Sequence, residues 1–244
     1  GYDNGQKLAC TGARGGSPSV LCVRAGAGGN GTGTVAAPFA TISAALAAAA
    51  PKDVIQVAAG AYPENVKVGK VNDPVETDVT LLGGFSPDFA TRDASQLRSV
   101  IDGKGAGPAV QLHLQSGGKS VVDGFRITRG LGLGTDSENG NGRGGGIYVA
   151  LIGNGEVLIS HNEIFGNQTN KLEDENRGGG IHAEAQDFDG SKPIIRIEDN
   201  VVHSNQAGRG AGIHVTGHQA AILRNVVEAN RAHSDHGGGI YVST

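Results

Sequence analysis

The sequence has little of what would assign a function at once. Its 244 residues include no methionine, no tryptophan, two cysteines, six phenylalanines and four tyrosines. Its charges nearly balance, with 20 Lys and Arg against 24 Asp and Glu, so we expect no general attraction to nucleic acid or to an anionic membrane. The longest apolar run, AALAAAA at 44–50, is too short to cross a bilayer. These absences mean that any anion site must be local.

The two cysteines, Cys10 and Cys22, lie close together near the start of the chain. In an exported protein they would pair and close a loop, whereas in a cytosolic protein they would be free thiols. We expect the disulfide, and with it a secreted or cell-surface protein. The chain begins at Gly1 and has no methionine, which indicates a mature or trimmed form.

Glycine is abundant, at 42 residues, and the chain divides into three parts. Residues 1–34 form a Gly-rich lead-in that the disulfide would hold. Residues 35–51 predict a short capping helix, because Pro38 suits a first helical turn, alanines follow it, and Pro51 marks the stop. Residues 52–244 contain short β-branched segments separated by Gly, Asn and Asp, with no second helix between them.

Three of these segments, HNEIFGN, DNVVHSN and RNVVEAN, contain asparagines that align in two columns. The columns are Asn162, Asn200 and Asn225, and Asn167, Asn205 and Asn230. Both keep the same spacing, so the variation in repeat length lies in the loops. A coil of parallel strands has this pattern, because each rung buries its apolar face only when a neighbour stacks on it. The repeat therefore predicts an all-β solenoid in which the asparagines stack and satisfy buried backbone groups.

A second repeat occurs four times, as GRGGGIYV, NRGGGIHA, GRGAGIHV and DHGGGIYV. Its glycines predict tight corners with positive φ and close approach of successive turns. The aliphatic residues after them predict an inward-facing stack, because side chains alternate along a strand. The inward residues would be Ile147, Ile181, Ile213 and Ile240, followed by Val149, Ala183, Val215 and Val242.

Two known families resemble these stretches. The GGGI segments combined with I-x-x-N or V-x-x-N resemble the GGAI and FxxN repeats of polymorphic outer-membrane proteins and related adhesins. The stretch GTVAAPFATISAALAAAAPKDVIQVAAGAYPENVKV resembles the N-terminal signature of pectate-lyase-like proteins. That resemblance implies a right-handed parallel β-helix with a short N-terminal capping α-helix. It leaves the function open, since the superfamily includes lyases, epimerases, hydrolases, adhesins and scaffolds.

Two sets of side chains are predicted to face outward from the second repeat. The first, the ring column, consists of Tyr148, His182, His214 and Tyr241. The second, the arginine column, consists of Arg143, Arg177 and Arg209, with His236 at the same place in the last repeat. The nearby acidic residues that would offset the repulsion between stacked guanidiniums are Asp136, Glu138, Glu173, Asp174, Glu175 and Asp235.

These columns have two interpretations. One is a surface ion-pair ladder that contributes little energy. The other is a groove that binds acidic polysaccharide, with carboxylates on the arginines and sugar rings on the ring column. If the groove were catalytic, His182 or His214 would be the base and Arg177 or Arg209 the neutralising cation. Tyr148 or Tyr241 would be the acid, as resemblance to the lyases implies.

No cofactor is required by the sequence, and the metal alternatives are weak. Calcium could be held by acidic loops carrying Asp136, Glu138, Glu173 and Asp174. His182 and His214 could share a zinc ion, but a structural site needs four ligands.

For function, the sequence favours a structural or adhesive β-helix that presents a rigid face and binds acidic polysaccharide. The alternative is a polysaccharide lyase or epimerase acting on a uronate-containing glycan. The near-identity of the repeats weighs against an enzyme, because it offers no singular position. The chain also stops within GGGIYVST, so we expect continuation in a longer chain or end-to-end self-association to cover Ile240 and Val242.

Overall fold

A computed structural model describes residues 9–12, 18–69, 78–115, 117–133, 142–171, 175–186, 190–217, 219–234 and 236–243. Helix α1 (Ile42–Ala48) is the one α-helix in these ranges. It begins later than predicted from Pro38, because the side chain of Thr41 accepts a hydrogen bond from the backbone N–H of Ala44 and caps the first turn. Ile42 and Ala45 of α1 pack into the core.

The rest of the regular structure is short strands. The first half of the chain contains β1 (Val20–Val23), β2 (Asp53–Ala58), β3 (Gly60–Tyr62), β4 (Val66–Val68), β5 (Val79–Phe85), β6 (Ser99–Asp102), β7 (Val110–Gln115), β8 (Lys119–Asp123), β9 (Phe125–Thr128) and β10 (Leu131–Gly132). The second half contains β11 (Ile147–Ile152), β12 (Glu156–Ser160), β13 (Glu163–Phe165), β14 (Gln168–Thr169), β15 (Ile181–Gln186), β16 (Ile194–Glu198), β17 (Val201–His203), β18 (Gln206–Ala207), β19 (Ile213–Thr216), β20 (Ala220–Leu223), β21 (Val226–Glu228), β22 (Arg231–Ala232) and β23 (Ile240–Ser243).

These strands form four sheets in the described part of the chain. Their orders are β1-β2-β5-β8-β12-β16-β20 in the first sheet, β4-β7-β11-β15-β19-β23 in the second, β3-β6-β9-β13-β17-β21 in the third and β10-β14-β18-β22 in the fourth. Successive strands of the chain, such as β12 to β15, lie in the first, third, fourth and second sheets in turn.

Strand pairing within these sheets is parallel. Ile147 of β11 pairs with Ile181 of β15, and Ile181 pairs with Ile213 of β19, in the register predicted from the repeats. The chain therefore coils through the same sheets again and again, and the protein is a parallel β-helix. The predicted parallel architecture is confirmed.

The core is the aliphatic interior of this coil. Ile147, Ile181 and Ile213 are buried, as are Val149, Ala183 and Val215 two positions further along. The fourth pair differs, because Ile240 is 43% and Val242 is 51% exposed on β23. The inward stack is thus confirmed for three rungs. That another chain covers Ile240 and Val242 stays a prediction.

The asparagine columns form two hydrogen-bonded ladders. In the second, which we call the Asn205 ladder, the backbone N–H and the side-chain amide of Asn167 both donate to Oδ1 of Asn205, each at 3.0 Å. Asn205 in turn donates to Oδ1 of Asn230 and to the carbonyl oxygen of Ile164. The other ladder repeats these bonds through Asn162, Asn200 and Asn225. The predicted stacking of amide on amide is confirmed.

Each asparagine of the ladder formed by Asn162, Asn200 and Asn225 follows a corner with left-handed backbone. His161, Asp199 and Arg224 have φ angles of 54°, 56° and 54°, which are uncommon for residues with a Cβ. The sequence patterns predicted such angles only for glycines. The corner splits each predicted strand in two, so that β12 ends at Ser160 and β13 begins at Glu163.

The glycines of the second repeat have the two predicted roles. Gly178 has a φ of 64°, and a Cβ built on Gly180 would lie 2.6 Å from the carbonyl oxygen of Gly212 on the next rung. Gly180→Ala would therefore push two backbones apart. We expect it to lower the free energy of unfolding by about 3 kcal/mol, the upper end of ordinary overpacking costs.

Urea unfolding followed by circular dichroism measures this cost. The matched control is Gly29→Ala, because a Cβ at Gly29 meets no atom within 4 Å. Equal stabilities of the two variants would contradict the proposed close approach.

A disulfide joins Cys10 and Cys22, whose Cα atoms are 5.7 Å apart. Cys22 lies on β1, so the bond ties the preceding segment to the first sheet. The predicted pairing is confirmed. Within the described ranges, no helix has the length and apolar character that crossing a membrane requires.

Candidate functional site

The ring column lies on the second sheet in the predicted register. Tyr148, His182, His214 and Tyr241 occupy successive paired positions on β11, β15, β19 and β23. The centroids of adjacent rings are 5.8, 4.9 and 5.0 Å apart along the column. The rings therefore stack on one another.

Three of the four rings are buried, so they are not placed to stack on sugar rings as the groove interpretation requires. Tyr148 is 3%, His182 0% and His214 1% exposed. Side-chain alternation does turn them away from the aliphatic core, and the glycine turn before each strand packs closely against the start of that strand. A Cβ on Gly144 would lie 2.7 Å from Cα of Tyr148, and one on Gly178 would lie 2.8 Å from Cα of His182.

The backbone of the arginine column is paired in the same register as the ring column. Parallel backbone bridges pair Arg143 with Arg177 and Arg177 with Arg209. Arg143 forms an ion pair with Glu184 at 2.9 Å. Glu175 forms ion pairs with Arg177 at 3.1 Å and with Arg209 at 3.9 Å.

Sequence reasoning identified Glu175 as a partner but missed Glu184. The signal was present, because Glu184 lies two residues after His182 and so shares its side of β15. The other proposed acidic partners lie outside the described residues: Asp136, Glu138, Glu173, Asp174 and Asp235. The calcium alternative, which rests on four of these, stays untested. In the described ranges, no three His, Cys, Asp or Glu residues cluster in a way that could hold a metal ion.

The electrostatics of the ring column follow from its burial. Burial lowers the pKa of His182 although Glu184 opposes this, and burial lowers the pKa of His214 to about 3 with help from His182 and the arginines. Burial would raise the pKa of Glu184, but His182, Tyr148 and Arg143 outweigh it and hold this pKa well below its usual range. The tyrosine hydroxyl of Tyr148 donates to Glu184 at 2.6 Å.

This arrangement suits a sealed structural stack better than a reacting site. His182 Nε2 lies 3.6 Å from Glu184 Oε2, which is longer than a hydrogen bond, and Nδ1 has no hydrogen-bond partner among the described residues. The imidazole is shielded from solvent on all sides, so a polymer in solution cannot reach its nitrogen atoms. The same burial keeps sugar rings off its face.

A different concave surface, which the sequence patterns did not identify, lies where the first sheet turns into the third. We call it the corner groove, and its volume is about 340 Å³. Its lining residues are Ala94, Ser95, Arg98, Phe125, Arg126, His161, Asn162, Glu163, Asp199 and Val201.

His161, at the left-handed corner, is held in the groove by Asp123. The Nδ1 atom of His161 lies 2.8 Å from Asp123 Oδ2, which also accepts a hydrogen bond from Ser160 at 2.7 Å. Arg92 pairs with the other carboxylate oxygen. Burial would raise the pKa of Asp123, but the bonds from Ser160, Arg92 and His161 outweigh it and lower this pKa.

The acidic residues of the corner groove already have partners. Glu163 pairs with Arg126 at 2.7 Å, and Asp199 pairs with Arg224 at 2.7 Å. Arg98 is exposed and forms no ion pair with any described residue. The sequence signal for the corner groove was the repeat itself, because His161, Asp199 and Arg224 each precede an asparagine of one column.

Comparisons with known proteins identify no family. No family model matches the chain, and no curated protein matches it. Among solved structures, the chain is similar to the crystal structure of pectate lyase Pel9A, with 13% identity over 93% of this chain and 75% of that chain and a TM-score of 0.29. The parallel strand pairing, and not this similarity, establishes the β-helix.

Proposed function

We propose that this protein is a secreted or cell-surface β-helix that presents a rigid face and binds acidic polysaccharide. The coil is proposed to be right-handed, because parallel strands joined by crossovers are right-handed in nearly all proteins. Helix α1 lies against β1, β2 and β4 and is proposed as its N-terminal cap. The disulfide supports an oxidising compartment.

The observation that carries this proposal is the burial of the repeated polar residues. His182 and His214 have no access to a polymer, while Arg143 and Arg177 have carboxylate partners. The repeated residues therefore support a scaffold role, in which the chain stacks identical rungs to make a stiff surface. The same burial favours the binding protein over a lyase or epimerase that would use these histidines.

Binding to polyanions must come from local charge, since the chain has 20 basic and 24 acidic residues. On a column of immobilised pectate or alginate, we expect retention at low salt and elution as salt screens the contact. A chain that flows through at low salt would contradict the binding proposal.

A lyase assay tests the alternative. We expect no unsaturated product, followed at the ultraviolet edge, from pectate, alginate or glycosaminoglycans. Turnover that His182→Ala or His214→Ala abolishes would instead favour the enzyme. His233→Ala is the matched control, because His233 is exposed.

A further inference from the structure

The corner groove contains one cationic side chain, Arg98, that has no ion-pair partner among the described residues. Its two carboxylates, Glu163 and Asp199, are each held by an arginine at 2.7 Å. Arg98 lines the same groove and has no carboxylate partner among the described residues. A carboxylate in this groove therefore meets a guanidinium that no carboxylate of the described residues neutralises, although the protein as a whole is negative. A planar guanidinium suits the two oxygens of a carboxylate.

His161 adds a hydrogen-bond acceptor to the groove. Asp123 has a lowered pKa and is ionised, so it can only accept, and Nδ1 of His161 must donate to it. In the neutral ring Nε2 then carries a lone pair, and Nε2 has no partner among the described residues. The side chain of His161 is 58% exposed, so a ligand hydroxyl can reach this atom.

The groove also has an apolar wall and a fixed shape. Val201, 38% exposed, and Ala94 offer carbon surface to the C–H face of a ring. His161 and Asp199 have left-handed backbones, and their side chains are tied to Asp123 and Arg224. Little side-chain freedom is lost when a ligand enters such a site, which favours affinity.

The groove lacks the nucleophile that an acyl-transfer site would place beside His161. The hydroxyl of Ser95 donates to Asp93 at 2.6 Å, and no described serine or cysteine forms a hydrogen bond with Nε2 of His161. The groove therefore has groups that can bind a ligand, but no described hydroxyl or thiol is bonded to His161 in a way that would let it attack one.

We propose that the corner groove binds one acidic sugar unit of a polysaccharide, with its carboxylate on Arg98 and a ring hydroxyl donating to Nε2 of His161. This proposal rests on the proposed function and assigns the contact to the corner groove, away from the arginine column. Neighbouring sugar units lie along the outer face of the third sheet, where Phe165 and His203 stack at 5.3 Å.

Calorimetric titration with short uronate oligosaccharides tests the proposal. The probes are trimers from pectate and from alginate, and the same trimers with each carboxyl reduced to an alcohol. We expect Arg98→Gln to weaken binding of the preferred acidic trimer at least about tenfold, as loss of a charge-assisted hydrogen bond does. His161→Phe should weaken it about fivefold through the lost neutral bond.

Arg231→Gln is the matched control. Arg231 is also exposed and unpaired among the described residues, but it lies on β22 in the fourth sheet. The Arg231→Gln substitution removes the same charge and should change the affinity for the acidic trimer less than twofold. The reduced trimers should bind wild-type protein weakly, and they should bind the Arg98→Gln variant no more weakly than they bind wild type. Unchanged circular dichroism would show that each variant folds.

The two proposals fail in different ways. Wild-type protein that binds no acidic trimer and no pectate or alginate column overturns both. Wild-type protein that binds, with equal losses in Arg98→Gln and Arg231→Gln, overturns the groove and leaves the proposed function standing. A loss seen in Arg177→Gln but not in Arg98→Gln places the contact on the arginine column and also overturns the groove.

Discussion

Asn205→Ala is expected to lower the free energy of unfolding by about 3 kcal/mol or more. Asn205 is fully buried and accepts two hydrogen bonds from Asn167, one from its backbone N–H and one from its side-chain amide. It also donates to the carbonyl oxygen of Ile164. Alanine would leave these groups buried without partners, and each such loss costs about 1–3 kcal/mol. Chemical unfolding of the purified variant measures the change.

Asn154→Ala is the control for this variant. Asn154 is exposed, and its side chain accepts a hydrogen bond from the backbone N–H of Lys192. Water can replace that bond, so we expect a loss below about 1 kcal/mol. If both variants lost the same stability, the Asn205 ladder would not be the support that its geometry indicates.

The second large effect is a loss of stability in mild acid. Burial lowers the pKa of His214 to about 3, and burial also lowers the pKa of His182. Unfolded histidine titrates near pH 6.5. Below that pH the unfolded chain binds protons that the folded chain does not, so stability falls with pH. Above it both states are neutral and the two histidines contribute no pH dependence.

The slope is expected to approach about 1.4 kcal/mol per pH unit for each of the two histidines well below pH 6.5, and to fall towards zero above it. Urea unfolding at several pH values between about 7.5 and 5 measures it. This range avoids carboxylates such as Glu184, whose lowered pKa contributes stability that is lost only in stronger acid.

His214→Phe should remove one histidine's share of the slope, because phenylalanine keeps a ring in the stack and binds no proton. His233→Gln is the control, since His233 is exposed. A slope that stays the same in His214→Phe would mean that His214 takes up its proton in the folded protein.

Much of the fold was predictable because it depends on local periodicity. The spacing of Asn167, Asn205 and Asn230 placed them in one column, and the structure joins them by hydrogen bonds. Alternation after the glycines correctly placed Ile147 and Ile181 in the core. The chain repeats these rules at each rung, so one local pattern was enough to predict parallel stacking.

The candidate site was less predictable because it depends on which loops cover which faces. Side-chain alternation correctly predicted that His182 points away from the aliphatic core, but it could not show that the ring is fully buried. Likewise, nothing in the repeated segments that contain Arg126 and Glu163 indicates that Arg98 lines the same groove.

The sequence by itself determined the rung register, the two asparagine columns and the inward aliphatic stack, since each follows from side-chain spacing along single strands. Only the tertiary structure decided that the ring column is sealed and that a groove opens at the corner with His161 and Arg98. Both outcomes depend on contacts between segments far apart in the chain. The segment at 86–98 brings Arg92 to Asp123, and Asp123 in turn pairs with Nδ1 of His161, whose side chain lines the corner groove.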